Sequence, residues 1–227
     1  PDAKEDMTAA NVVASMSGCA GQRCMAASAM VGVGKIDHII EKIVDEANKV
    51  VPGQNLGAVI NKESKERIER YIDEAEKDGA KILVDGRGAI VKGKENGTYV
   101  GPTVIDYVKP EMSVAKEEIF GPVISIMRTN TIDEALEIEN ANPYGNAASV
   151  FTQNGGLARY IIDHASAGMI GVNVGVPVPR EPFSFGGWNE SKFGVGDITG
   201  KSSVEFWTKL KKSTTKWNPE AGVNWMS

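Results

Sequence analysis

Residues 123–174 read VISIMRTNTIDEALEIENANPYGNAASVFTQNGGLARYIIDHASAGMIGVNV, and the order of signals along them decides the fold. Val123 to Met127 is an apolar run of strand length. Thr131-Ile132-Asp133-Glu134 is a capping box. The Thr hydroxyl can accept from a free N–H of the first turn while the Glu reaches back to the cap, so a helix opens here. It closes before Pro143, because the residue preceding a proline is pushed out of the helical region. Ala147 to Thr152 is a second strand. Asn154 caps the next helix, whose stripe is Leu157, Ile161 and Ala165 and whose stop is Gly168, and Met169 to Val174 is a third strand. Strands alternating with helices specify an α/β domain with a parallel sheet, since parallel neighbours need a crossover that a helix supplies.

The flanking regions extend the pattern. Residues 3–17 read as a helix with Asp2 as its candidate cap. Ala26 to Val33 reads as a buried strand. Ile36, Ile39, Ile40, Ile43, Val44 and Ala47 fall on one face of an amphipathic helix. A further helix spans 62–78 with the stripe Ile68, Ile72 and Ala75, and Gly79 stops it. Lys81 to Val84 and Thr98 to Ile105 read as strands around an exposed loop, 85–97. Residues 175–201 hold too much proline and glycine for a regular element, and a loop of that length in a compact domain usually carries function. From Ser203 to Trp217 the pattern has period two, with Val204, Phe206, Thr208 and Leu210 opposite Glu205, Lys209 and Lys211. Such a lone strand needs a partner elsewhere. The expected architecture is therefore an open, mainly parallel sheet with flanking helices over 1–202. An oligomerisation strand and tail over 203–227 should pair with another subunit or with chain outside these residues.

Composition bounds the function. Of the 227 residues 41% are hydrophobic and 24% charged, and with a net charge of -5 and no dense basic cluster apart from Lys209, Lys211 and Lys212, nucleic acid is not expected as a partner. No apolar run approaches the ~18 residues that cross a bilayer. Two cysteines five positions apart cannot make a disulfide framework, which points to a reducing compartment. His38 and His164 lack paired spacing, so no metal site is expected.

Gly21-Gln22-Arg23-Cys24-Met25-Ala26 carries the chemistry. Glycine lets a backbone approach a substrate closely. A thiolate is a strong nucleophile, and a cation beside it favours that form. A packed cysteine beside a loop is the plain alternative, and the hexapeptide alone does not separate the two. Three further stretches do: Glu117-Glu118-Ile119-Phe120-Gly121-Pro122; Asn142-Pro143-Tyr144-Gly145 with Val150-Phe151-Thr152; and Phe185-Gly186-Gly187. In this order and at these separations the set resembles the catalytic half of the aldehyde dehydrogenase family, over nearly the whole chain. The hexapeptide, with Val172-Asn173-Val174, Pro177-Val178-Pro179 and Phe183-Ser184-Phe185, is most similar to the methylmalonate-semialdehyde branch. Two departures stand out. Ser17 sits where the family usually has an aromatic, and Trp188-Asn189-Glu190-Ser191 replaces its common Tyr-Lys-x-Ser.

The resemblance implies roles. Cys24 attacks an aldehyde, its own N–H is one donor to the oxyanion, hydride passes to NAD, and a thioester remains on Cys24. In this branch coenzyme A takes the acyl group and a β-carboxylate leaves as carbon dioxide. Glu118 accepts from the nicotinamide ribose, Phe120 packs near the nicotinamide, and Phe185 lines the substrate tunnel. Each has a plain alternative, a solvated charge for Glu118 and core packing for the two rings. Arg23 could hold a substrate carboxylate in a bidentate pair, or could instead pair with a carboxylate of the chain. Cys19, His38 and His164 read as structural. Pro1 in place of Met points to chain removed upstream. There the resemblance puts the NAD-binding domain and a second oxyanion donor, so these residues alone are expected to be inactive as a dehydrogenase. The implied partners are a semialdehyde, CoA and other copies of the chain. The implied location is cytoplasmic in a bacterium and the mitochondrial matrix in a eukaryote. Two readings stay open beside this one: a non-acylating aldehyde dehydrogenase, and a folded segment serving only subunit association.

Overall fold

A computed structural model describes residues 1–217. Helix α1 (Glu5–Ser17) leads through a 3-10 turn (Gly18–Gly21) to strand β1 (Ala29–Val33). There follow α2 (Asp37–Ala47), α3 (Lys62–Lys77), β2 (Lys81–Val84), β3 (Thr103–Asp106), the short α4 (Ser113–Lys116) and β4 (Val123–Thr129). The second half holds α5 (Ile132–Asn140), β5 (Tyr144–Gly145), β6 (Ala147–Val150), α6 (Gly155–His164), β7 (Met169–Val172), β8 (Trp188–Asn189) and α7 (Ser203–Trp207).

The main sheet has the order β1-β4-β3-β2, parallel except for the β3–β2 pair. The central strands β3 and β4 are buried on both faces, which explains the apolar run of β4, while β1 and β2 at the edges are only partly covered. On β4, Val123 and Met127 join one core with Ile68, Ile72 and Ile105. Ile124 and Ile126 point the other way, into a core with Val12, Met16, Ile39, Ile40 and Ile43. The period-two strand thus separates two cores, one beneath α3 and one beneath α1 and α2. The stripe expected for α2 is the buried one, Val44 being only partly covered. Each fully buried Ile or Val contributes about 1.5–3 kcal/mol.

The structure corrects the sequence reading in four places. Strands Ala147 to Thr152 and Met169 to Val174 do not extend the main sheet: among the described residues β6 and β7 pair only with each other, in parallel, beside a small core of Leu136, Val150, Ile161 and Ala165. The strand expected from Thr98 begins at Thr103, because Pro102 has no N–H for a ladder and the Thr98 carbonyl is taken by Val59 N–H. The strand expected over 203–217 opens instead as α7, with Phe206 N–H on Ser202 O, and residues 208–217 run exposed without a ladder. A period-two pattern cannot form a strand without a neighbour to bond, and within 1–217 none lies beside it. The tail beyond, 218–227, lies outside the described residues.

The fourth correction concerns Asp2. Helix α1 has no side-chain cap. Asp2 instead accepts from the Thr152 hydroxyl at 2.6 Å and from Gln153 N–H at 2.9 Å, tying the N-terminus to the end of β6. The Thr152 hydroxyl is the main reason the Asp2 carboxyl is held below its usual range. A lowered acid pKa means stability fully present above the unfolded value of about 3.9, and lost as pH falls through the folded one. Asp2→Asn is therefore expected to narrow the gap between unfolding midpoints at pH 6 and pH 3; an unchanged gap would show that this tie adds nothing.

The capping signals in the middle of the chain are as expected. Thr131 and Glu134 form the full capping box of α5, and Asn154 accepts from Gly156 and Leu157 N–H at the start of α6. No helix among the described residues is long and apolar enough to cross a membrane.

Candidate active site around Cys24

The end of α1 sets the site. Cys19, Ala20 and Gly21 are consecutive residues in the left-handed region, with φ of 53°, 55° and 72°, and they reverse the chain. Helix α1 has no basic residue in its own last turn. Two of its last carbonyls are met from outside: Arg23 Nη2 donates to Ala14 O at 3.3 Å, which also accepts from the Gly18 N–H, and to Ser15 O at 3.1 Å. A cation there is also favoured by the helix dipole. The guanidinium lies so close over Gly18 that any side chain at that position would overlap it. Arg23 is thus held by backbone, not by the carboxylate considered as its plain alternative, and its buried Nε has no partner among the described residues.

Cys24 is exposed on the turn that follows. Arg23 O accepts from Ala26 N–H at 3.0 Å. Cys24 O accepts from Asn146 Nδ2 at 3.1 Å, and the same amide nitrogen lies 3.4 Å from Met25 Sδ. Among the described residues nothing accepts from the Cys24 N–H. Ser15, fully buried, donates to Gly175 O and accepts from Ala27 N–H, both at 3.0 Å, joining α1, the loop after Cys24 and the 175–201 loop. Gln22 anchors the other side, its Oε1 accepting from Ile60 N–H at 2.8 Å.

The Glu117–Pro122 stretch meets this turn directly. A Cβ on Gly21 would overlap the Gly121 carbonyl, so the two backbones touch with nothing between them. One face of α3 grips the stretch. Arg67 Nη1 donates to Glu118 O at 3.2 Å and Ile119 O at 2.8 Å, Ile68 packs on Gly121, and the Tyr71 hydroxyl donates to the Glu117 carboxylate. That bond, with burial, raises the Tyr71 phenol above its usual range. Phe120 is held at φ 53°, a conformation that costs an aromatic residue about 1–3 kcal/mol. Buried Ile119 and the Gly21 contact on either side sustain it. The strained turn leaves the Phe120 ring 38% exposed, and leaves the Glu118 carboxylate exposed with no partner among the described residues.

Phe185 is half-buried, its N–H donating to Thr199 Oγ1 at 2.9 Å. It joins the site through its neighbours. Gly187 lies against Asn146, where an added Cβ would stand 3.2 Å from the Asn146 Cα, and β8 pairs with β5. The structure therefore places Cys24 on one loop and Glu118 and Phe120 on another that abut at Gly21 and Gly121, carries Phe185 on a segment whose Gly187 lies against Asn146, and turns Arg23 onto α1. Sequence reading missed Ser15, Arg67, Tyr71 and Asn146. Only Asn146 carried a signal, as the residue following Asn142-Pro143-Tyr144-Gly145. A cleft of about 360 Å³ lined by Val50, Pro52, Asp85, Arg87 and Ile90 lies apart from all of these.

The profile of the aldehyde dehydrogenase family matches residues 1–213. The chain belongs to this family. Among its relatives is the rat mitochondrial methylmalonate-semialdehyde/malonate-semialdehyde dehydrogenase (acylating), 45% identical over 97% of this chain and 42% of the rat protein. A crystal structure of methylmalonate-semialdehyde dehydrogenase from Oceanimonas doudoroffii superposes with a TM-score of 0.92, at 40% identity over 97% of this chain and 47% of that one. An NAD+ complex of an aldehyde dehydrogenase from Bacillus cereus gives 0.83, at 29% identity over 92% and 43%. The chain thus spans about half the length of the relatives it matches. The fold expected from sequence, α/β with a mainly parallel sheet, is that of the family.

Proposed function

We propose that this chain carries the nucleophile of an NAD-dependent, CoA-acylating oxidoreductase converting methylmalonate or malonate semialdehyde to propionyl-CoA or acetyl-CoA with loss of carbon dioxide. The observation that carries the reading is Cys24 itself: an exposed thiol with a free N–H beside it, on a turn braced against the loop of Glu118 and Phe120. The Cys24 thiolate adds to the aldehyde carbon, and the oxygen that gains the electron pair accepts from the Cys24 N–H. Losing one such donor typically costs about 10²–10³ in rate. The free Glu118 carboxylate fits the ribose hydroxyls of NAD and the exposed Phe120 ring fits its nicotinamide, and NAD, when bound, accepts the hydride. Cys24 is left in a thioester. CoA thiolate displaces it at the carbonyl carbon. The carboxylate β to that carbonyl leaves as carbon dioxide, and the α-carbon keeps the electron pair and takes a proton.

The test is product analysis. The full-length enzyme supplied with methylmalonate semialdehyde, NAD and CoA should yield propionyl-CoA by mass spectrometry; methylmalonic acid as the product would favour the non-acylating reading.

Arg23 has a second test. Its Nη2 is committed to α1, and the rest of the guanidinium lies one residue from the nucleophile. Arg23→Leu in the full-length enzyme is expected to lower kcat/KM for carboxylate-bearing semialdehydes roughly tenfold to hundredfold more than for propanal, a charge-assisted bond being worth about 1.5–3 kcal/mol. Equal losses on both substrates would assign Arg23 wholly to the support of α1.

Residues 1–227 alone are expected to bind NAD no better than about millimolar, because one carboxylate and one ring offset little of the cost of association. A micromolar constant by calorimetry would show that the nucleotide site is complete within this chain. The exposed Leu210 and Trp217, at 84% and 92%, belong on this reading against another copy of the chain or the upstream domain. The location follows the host, the mitochondrial matrix in a eukaryote and the cytoplasm in a bacterium.

A further inference from the structure

Cys24 lies between two peptide planes. The plane before it contains the Arg23 carbonyl and the Cys24 N–H, and the bond from Ala26 N–H to Arg23 O fixes it. The plane after it contains the Cys24 carbonyl, and its partner is Asn146, 122 residues away in sequence. The first bond is local to an exposed turn. Asn146 ties the Cys24 carbonyl to a distant part of the chain. It follows β5, whose pairing with β8 is reinforced by Ser191 Oγ accepting from Gly145 N–H at 3.1 Å and by Gly168 N–H donating to Gly145 O at 3.0 Å. Gly187 closes over Asn146 from the other side. The amide therefore comes from a backbone restrained in three directions, and only its nitrogen can donate to a carbonyl.

We propose that Asn146 is a positioning residue: its amide fixes the Cys24 carbonyl, and with it the angle at which the Cys24 N–H and thiol face an incoming carbonyl group. The inference rests on the reading of Cys24 as nucleophile. An oxyanion donor acts only when aimed at the place where charge develops. With both flanking planes pinned, the φ and ψ of Cys24 are set, and so are the directions of its N–H and its Cα–Cβ bond. Without Asn146 only the local turn bond holds this residue, the turn can shift as a unit, and the donor loses its aim while the thiol stays accessible.

Two reactions of the same thiol separate aim from access. Acylation by p-nitrophenyl acetate passes through a tetrahedral oxyanion. Alkylation by iodoacetamide displaces iodide at a saturated carbon and forms none. In the full-length enzyme, Asn146→Ala and Asn146→Asp are expected to slow the single-turnover acylation of Cys24 by roughly 10- to 100-fold, less than outright removal of a donor. Alkylation of Cys24 should stay within about twofold of its parent rate, since the thiolate and its access are retained. Asn146→Asp keeps the side-chain shape and guards against the loss of fold that truncation brings, while placing a carboxylate oxygen where the Cys24 carbonyl needs a donor. Alkylation of Cys19 in the same samples reports any general loosening. Acylation at the parent rate in Asn146→Asp would overturn the inference, as would acylation and alkylation falling together. Absence of acylation at Cys24 in the parent enzyme would instead remove the assignment of Cys24, and this inference with it.

Discussion

Replacing Cys24 by Ala in the full-length enzyme is expected to abolish NADH production and acyl transfer together, by roughly 10⁴–10⁶-fold, the range seen when a covalent nucleophile is removed. Both half-reactions depend on one sulfur, because the thioester that CoA attacks is the product of the oxidation. The second cysteine provides an internal control. Cys19 and Cys24 are both free and exposed, so accessibility does not distinguish them. Of the two, only Cys24 lies on a turn whose carbonyl is tied to Asn146. Acylation by p-nitrophenyl acetate, which passes through an oxyanion, should therefore fall on Cys24 much faster than on Cys19 at pH 7, and Cys19→Ala should keep most of the activity. Loss of activity in Cys19→Ala with retention in Cys24→Ala would reverse the assignment.

Gly21→Ala is the next largest expected effect, and it reaches function through structure. The position combines a φ of 72° with direct contact between the Gly21 and Gly121 backbones. The left-handed conformation costs a non-glycine residue about 1–3 kcal/mol, and an inserted methyl that must push backbone aside costs a further 1–3 kcal/mol or so. The sum, about 2–6 kcal/mol, is a large share of the roughly 5–15 kcal/mol that holds a domain together. What moves is also what the reaction needs, since the displaced carbonyl adjoins Phe120. Urea unfolding should show the loss of stability, and acylation of the still-folded fraction should fall with it. A stability change below about 0.5 kcal/mol, typical of an inconsequential surface site, would mean that the two loops do not meet as described.

The parts of this molecule that were legible in its sequence are those whose cause is local. The capping box of α5, the Asn154 cap of α6 and the stripes of α2 and α3 depend on residues within a turn or two of each other, and each is present. Strand membership is a long-range property. Nothing within Ala147 to Val150 records that its parallel partner is β7 rather than β4, and the alternation of elements is the same in both cases. Asp2 had the chemistry of a cap and found a stronger partner 150 residues away in Thr152. The period-two run from Ser203 met no neighbouring strand, and its first residues closed a helical turn instead. At the site, Cys24, Glu118 and Phe120 could be named because each belongs to a contiguous stretch with a family likeness. Ser15, Arg67 and Tyr71 could not, because a side chain that bonds a distant backbone carbonyl or carboxylate leaves no spacing behind. Their identity is fixed by geometry that exists only after folding.

Strand β1, which follows the nucleophile turn, is an edge strand whose only neighbour among the described residues is β4, with Ala29 opposite Ser125. The carbonyl of Cys24 waits longer still, for Asn146. A ribosome adding 5–20 residues per second needs roughly 6–24 s to cover the 122 residues between them. During that interval Arg23 and Ser15 already tie the turn to α1, and β1 gains its ladder once β4 has emerged, but the carbonyl of Cys24 lacks its partner. The nascent chain therefore acquires its cysteine early and its catalytic geometry late. Any polypeptide released before residue 146 would carry the reactive atom without the frame that aims it.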